Sequence, residues 1–293
     1  MTYNNHVRWV KNVRIKGLAC SLPEKVEEVA CLGEVFGTDS VTKIIGSTGV
    51  ERRHVVTDEC SSDLCFAAAE RLIADLGIDK SSIDTLIFVS QTHDYTLPAT
   101  ACVLQERLGL PMHTAAFDVA MGCSGYVYGL WTAASLLSGG GSKRALLLVG
   151  DTISKIVSPA DRAVAALFGD AGTATLLDHD PQAPDMPFVM GTDGRGAQNL
   201  VVPAGGYRDR SGHSVHTSEE GVRGPYDLYM IGAEIFAFTL ARVPALVSAL
   251  HEANEAGELA IDKYVFHQAN RFMLDHLVKR MKLERDQVVL DVK

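Results

Sequence analysis

Residues 104–119 read LQERLGLPMHTAAFDV, and residues 277–292 read LVKRMKLERDQVVLDV. At an offset of 173, Leu104, Arg107, Leu110, Asp118 and Val119 recur as Leu277, Arg280, Leu283, Asp291 and Val292. Just upstream, IDTLIF at 83–88 recurs as IDKYVF at 261–266. Each copy holds an apolar run, a segment with helical spacing and a second run ending in Asp-Val. The chain is therefore expected to consist of two related halves, 1–180 and 181–293. The first copy runs on into Ala120-Met121-Gly122-Cys123-Ser124-Gly125, whereas the second reaches Lys293 one residue after its Asp-Val. The matching loop of the second half is expected to lie beyond Lys293, in a longer natural protein.

Between these anchors the pattern alternates strand and helix. Val13–Leu18, Thr85–Val89, Ala115–Val119, Ala145–Val149 and Ala171–Leu177 read as strands. The run 85–89 is short and apolar without alternation, as expected of a strand covered on both faces. Asp63–Leu76 has apolar residues at helical spacing and stops at Gly77. Ala99–Leu108 is entered through Pro98, and Ser124–Ser138 ends at Gly139-Gly140-Gly141. In the second half, Met186–Thr192, Lys263–Phe266 and Val288–Val292 read as strands. Tyr226–Ala253, interrupted near Pro244, and Arg271–Lys282 read as helices. A long polar loop, 203–225, separates the first of these strands from the first helix; such loops are usually functional or mobile. The expected fold is α/β, with a parallel-rich sheet in each half and helices between and outside them.

Bulk properties narrow the function. A formal net charge of −9 argues against general nucleic-acid binding, which needs basic surface. No uninterrupted apolar run is long enough for a membrane span, and the N-terminus has no apolar signal-peptide core. The six cysteines lack zinc-like pairing, and they read as reduced thiols of a cytoplasmic protein. No metal site is expected; His213 and His216 read as exposed loop histidines.

Two residues stand where chemistry is expected. Cys123 lies at the turn from strand Ala115–Val119 into the next helix, between Gly122 and Gly125. A helix N-terminus favours an anion, so the thiol is expected to have a lowered pKa. The plain alternative is a buried cysteine packing as a small hydrophobe. His267 follows the apolar run 263–266, at the corresponding end of a strand in the other half. Ligands of open α/β sheets bind outside the carboxyl ends of strands. A pseudo-twofold between the halves would bring thiol and imidazole together for covalent catalysis. A structural hydrogen bond is the alternative for His267, and Asn270 would either orient a substrate or tie down its loop.

DVAMGCSGYVYGL at 118–130, FGDAGTATLL at 168–177 and FHQAN at 266–270 occur in this order. STGVERRH, DYTLPATA and VPAGGYR add further matches at 47–54, 94–101 and 202–208. Together they resemble β-ketoacyl-acyl-carrier-protein synthase III and its relatives in the thiolase superfamily. The resemblance implies a duplicated five-layered αβαβα thiolase-like fold, whose second half is cut short at its C-terminal end. It implies acyl transfer from a thioester to Cys123. Decarboxylative condensation with malonyl-carrier protein then follows, assisted by His267. The family's catalytic asparagine is not Asn270. It lies in a glycine-asparagine segment after the strand equivalent to Val288–Val292, and so past Lys293. The alternatives are an acyltransferase that uses the same acyl-cysteine without condensation, and a non-catalytic partner subunit of a ketosynthase. A cysteine protease fits poorly, because nothing near Cys123 has those enzymes' local pattern.

The resemblance also assigns supporting residues. Arg162, in SPADRAVAALFGD, matches a cation that stacks on the coenzyme A adenine. Lys43 and Ser47 replace a Trp and an Arg of that platform, which implies a primer other than acetyl-CoA bound in the usual way. Phe168 and Phe236 match pocket-lining positions. Leu97 matches the residue that a partner subunit inserts at the acyl-pocket floor in family homodimers; a smaller side chain there would admit longer or branched chains. Arg271, Lys279 and Arg280, with Lys282, are candidates for docking an acidic carrier protein. The last three equally suit a helix C-terminus. The family's arginine two residues after Asn is here Phe272, with Arg271 one position early. No resident cofactor is implied: acyl-CoA and acyl-carrier-protein thioesters are substrates.

Overall fold

The computed structural model describes residues 6–213, 222–254 and 261–292, so His216 lies outside the described residues. Its centre is a five-stranded mixed sheet. In spatial order the strands are Val13–Ser21, Ala171–His179, Arg144–Asp151, Thr85–Val89 and Ala115–Val119. The last three run parallel. The first two are antiparallel to each other, and Ala171–His179 is antiparallel to Arg144–Asp151. The sheet is thus less parallel than its apolar runs suggest, because Ala171–His179 returns directly beside the strand before it.

Every side chain of Thr85–Val89 is buried. Leu86 and Phe88 pack with Leu146, Leu148, Ala174 and Leu176 on one face, against Ser61–Leu76 and Thr100–Arg107. Ile87 and Val89 pack with Ala145, Leu147 and Leu177 on the other, against Gly125–Ser138. Period-two alternation places successive residues in two separate apolar layers, so a strand that needs both reads as one continuous apolar run.

The second half departs from expectation. Met186–Val189 forms a strand, but it pairs antiparallel with Val7–Val10 outside the central sheet. Lys263–Phe266 and Val288–Val292 form no extended ladder; a single parallel bridge joins Tyr264 and Val288. Tyr264 donates its N–H to Gln287 O at 2.7 Å, and Val289 N–H donates to Tyr264 O at 3.1 Å. Two such bonds make one bridge, and neither run has a neighbour on its other side among the described residues. The bridge still repeats the first half's topology, because the equivalent runs Thr85–Val89 and Ala115–Val119 also pair in parallel.

The helix expected at Tyr226 begins at Gly232, since Tyr229–Met230 forms a short strand with Leu200–Val201. It continues through Pro244 to Ala253 without interruption. Its 22 residues and mean hydropathy of 1.5 would suffice, by length and composition, to cross a membrane. That qualifies the reading from uninterrupted runs, which Glu234 and Arg242 break up. Arg242 donates to Asp193 Oδ2 at 2.7 Å, which ties the helix to the segment before Gly194–Asn199.

Leu146→Ala removes a fully buried side chain from the layer beneath Ser61–Leu76. It is expected to cost about 3 kcal/mol, read as a lower midpoint of urea unfolding.

Candidate active site

Three strands of the sheet end side by side, and their carboxyl ends carry the site. Arg144–Asp151 ends in Asp151, whose Oδ1 accepts hydrogen bonds from the Ser90 hydroxyl at 2.9 Å and Gln91 N–H at 2.7 Å. The same oxygen accepts from Thr92 N–H at 3.1 Å and the Thr92 hydroxyl at 3.0 Å. Ser90 N–H donates to Val119 O at 3.3 Å, joining the third strand end. After that strand the chain turns through Met121-Gly122-Cys123 into helix Gly125–Ser138, with Gly125 N–H bonded to Gly122 O at 2.6 Å.

The glycines flanking Cys123 serve close approach, and neither has a positive φ. A Cβ on Gly122 would meet the Gln91 carboxamide oxygen at 2.2 Å. A Cβ on Gly125 would meet Val89 Cγ1 at 2.7 Å.

Cys123 and His267 line the same cavity, of about 580 Å³. They come from opposite halves of the chain, as the repeat implied. Phe168 lines it too, with Tyr126, Ile156, Val202 and Leu228 among the apolar walls. The Cys123 thiol is accessible, yet its pKa is raised. Desolvation in the recess is the main cause, and the Asp151 carboxylate adds to it, while the residue's own backbone N–H acts the other way. This corrects the expectation of a lowered pKa. Cys123 sits two residues before the first helical residue, and the helix field is strongest within the terminal turn. Desolvation also lowers the His267 pKa, so the imidazole is held neutral. Burial raises the Asp151 pKa, and its four donors oppose that shift.

The other expected residues are dispersed. Asn270 caps helix Arg271–Met281, accepting from Met273 N–H at 2.8 Å, and does not line the cavity. Phe236 also stands outside the cavity, tilted against Phe272 and edge-on to His276 at 5.4 and 5.3 Å between ring centroids. Leu97 is 75% exposed and does not line the cavity. Arg162 and Lys43 line one surface hollow with Phe36, Thr38 and Asp39. The carboxylates nearest Arg162 in sequence are engaged elsewhere: Asp161 pairs with Arg223 at 2.5 Å, and Asp170 holds Ser154 and the Val56 N–H. Arg271 packs on Gly49, and Lys279 and Arg280 occupy the exposed last turn of their helix. His213 is exposed, with its Nδ1 2.6 Å from the Ser211 hydroxyl. Gln91 and Asp151 were not singled out from the sequence. The signal was present, since both stand at carboxyl ends of central strands.

Residues 117–194 match the family model described as 3-oxoacyl-[acyl-carrier-protein (ACP)] synthase III. A putative 3-oxoacyl-[acyl-carrier-protein] synthase 3 of Campylobacter jejuni is 36% identical over 94% of this chain and 80% of its own length. The chain belongs to the β-ketoacyl-acyl-carrier-protein synthase III family. A β-ketoacyl-[acyl-carrier-protein] synthase III of Desulfitobacterium hafniense is 33% identical over 96% of this chain and 83% of its own length. The crystal structure of a 3-oxoacyl-(acyl-carrier protein) synthase from Burkholderia xenovorans superposes with a TM-score of 0.91 at 41% identity. It covers 98% of this chain and 82% of that one. The protein is therefore an acyl-thioester condensing enzyme, a transferase with the thiolase fold.

A nearby negative charge disfavours a thiolate, so Asp151→Asn is expected to lower the Cys123 pKa. Alkylation by iodoacetamide, followed against pH, should show its midpoint move to lower pH in the variant. An unmoved midpoint would remove the carboxylate as a cause.

Proposed function

We propose that Cys123 is the nucleophile that accepts the acyl group, and that His267 assists the condensation that follows. The observation that carries this reading is the convergence of the two residues, from opposite halves, on one cavity. In the first stage the sulfur attacks the thioester carbonyl, the carrier thiol leaves and the Cys123 proton passes to it. The resting thiol is held mostly protonated, so acylation requires proton loss in the attack itself. The Cys123 backbone N–H, just ahead of the helix, would help to hold the oxyanion.

In the second stage malonyl-carrier protein loses carbon dioxide, the resulting carbanion attacks the acyl carbon, the acyl–sulfur bond breaks and Cys123 leaves as a thiolate that takes up a proton. A neutral imidazole suits this step, because it can donate a hydrogen bond to the developing enolate oxygen. Desolvation favours that protonation state at His267.

Lys43 and Arg162 would hold the phosphate and base of coenzyme A, since they face one surface hollow. Arg271, Lys279 and Arg280 would dock the acidic carrier. The exposed Leu97 would enter the acyl pocket of a partner copy in a homodimer. The reaction needs thioester substrates and no resident cofactor. A cytoplasmic location without a membrane span or nucleic-acid partner completes the reading.

Incubation with an acyl-CoA panel should add one acyl mass to the intact protein, and Cys123→Ala should abolish the adduct. His267→Ala should keep the adduct and slow carbon dioxide release from malonyl-carrier protein by about a hundredfold or more. An adduct without carbon dioxide release in the unmodified protein would leave acyl transfer alone. The pair Lys43→Ala and Arg162→Ala should raise KM for acyl-CoA by about fivefold, the size of two exposed charge contacts. An unchanged KM would place coenzyme A elsewhere.

A further inference from the structure

Phe168 walls the cavity that Cys123 and His267 share, yet it belongs to none of the buried apolar clusters among the described residues. Residues 168–170 lie between a turn and strand Ala171–His179, so neither a helix nor a ladder sets the course of their main chain. A side chain from elsewhere does. Arg53 donates from Nη1 to Phe168 O at 2.8 Å, and among the described residues that carbonyl has no other donor. The Arg53 side chain is 10% exposed, and its Nη2 donates to Glu27 Oε2 at 2.8 Å. The two residues stand opposite each other where strand Arg52–His54 pairs antiparallel with Val26–Glu28.

The guanidinium is divided between two partners. One that serves an ion pair alone tends to present two N–H groups to one carboxylate. Here Glu27 takes Nη2, Phe168 O takes Nη1, and the buried Nε is left without a partner. An unpaired buried donor is costly, so the geometry is kept by the two outer bonds. The same strand meets the residues that follow. Asp170 N–H donates to His54 O at 2.8 Å, and a Cβ on Gly169 would lie 3.1 Å from that oxygen. Strand Arg52–His54 is thus a rail for residues 168–170, and Arg53 fixes the one that supplies an aromatic ring to the cavity wall.

We infer that Arg53 is a positioning residue for the condensing reaction, holding the main chain of Phe168 so that its side chain shapes the cavity around the acyl-CoA. This rests on the proposed acylation of Cys123. In that step the acyl carbon bonds to the Cys123 sulfur, the carbon–sulfur bond to coenzyme A breaks, and the thiol proton leaves with free coenzyme A. Arg53 takes no part in these bond changes and acts through Phe168.

Intact-protein mass spectrometry gives the rate constant for acylation with acetyl-CoA, butanoyl-CoA and hexanoyl-CoA, and the ratios among them define a preference. Arg53→Met keeps the apolar stem and removes both bonds. It should shift the preference by about tenfold, the worth of one charged hydrogen bond, in the same direction as Phe168→Ala. Added to Phe168→Ala, it should shift the preference by less than about twofold, because residues that act through one group are not additive. Arg53→Lys keeps the charge beside Glu27 without the two-pronged geometry, and should shift the preference the same way by less. Rate constants describe the folded molecules, so a low folding yield does not alter them; if Arg53→Met gives no acylatable protein, Arg53→Lys carries the same cycle. A preference unchanged by substitution of Arg53, or shifted equally with and without Phe168, would overturn the inference and leave Cys123 as acceptor. No adduct with any acyl-CoA in the unmodified protein would overturn both readings.

Discussion

Asp151 Oδ1 collects four hydrogen bonds from Ser90, Gln91 and Thr92, so one buried carboxylate oxygen ties the end of one central strand to the end of its neighbour. The next strand end is joined through Ser90 N–H and Val119 O. Parallel strands deliver their carboxyl ends to one edge of a sheet, and backbone groups released from the ladder there need partners. A carboxylate satisfies several at once and fixes the turn in a single geometry. The Cys123 loop then packs on that turn, with Gly122 against Gln91 and Gly125 against Val89. The position of Cys123 therefore depends on a polar cluster beneath it as much as on the apolar layers beneath that.

Asp118 does similar work one strand further out. Its two oxygens accept from Thr100 N–H at 2.8 Å and Ala101 N–H at 2.7 Å, which caps helix Thr100–Arg107. The recurring Asp-Val that exposed the internal repeat thus has a physical basis in this half: the aspartate anchors a helix start and the valine closes a strand. In the second half Asn270 caps the corresponding helix, and Asp291 N–H donates to Gln268 Oε1 at 2.9 Å. The repeat is conserved in position more than in the partners each residue finds.

Legibility in the sequence followed burial. Thr85–Val89 was readable to the residue because the sheet's interior demands an unbroken apolar run; Ala115–Val119 was readable too, although it is a partly buried edge strand that carries Asp118. Lys263–Phe266 and Val288–Val292 carry equally apolar runs, but strand geometry needs a partner on the ladder, and composition does not reveal whether one is present. The start of the long helix was misplaced because Tyr226–Met230 is apolar enough to continue it, while the pairing of Tyr229 and Met230 with Leu200 and Val201 wins. Cys123 and His267 were found because strand ends and glycines mark them. Gln91 and Asp151 sit at strand ends without a reactive atom to draw notice, and their roles depend on contacts that no spacing in the sequence encodes.

The thiol's protonation shows how local rules compete. A helix start lowers a thiol pKa when the sulfur sits within its first turn, in contact with the free N–H groups. Here the sulfur belongs to the residue before the N-cap, and it looks into a recess whose walls displace water. Desolvation and the Asp151 charge then outweigh the helix. The carboxylate that positions the loop therefore also disfavours the Cys123 thiolate. Both effects favour a protonated resting thiol. His267, neutral for the same desolvating reason, is ready to donate rather than to pair as a cation. Desolvation in the shared cavity thus favours the uncharged form of both residues.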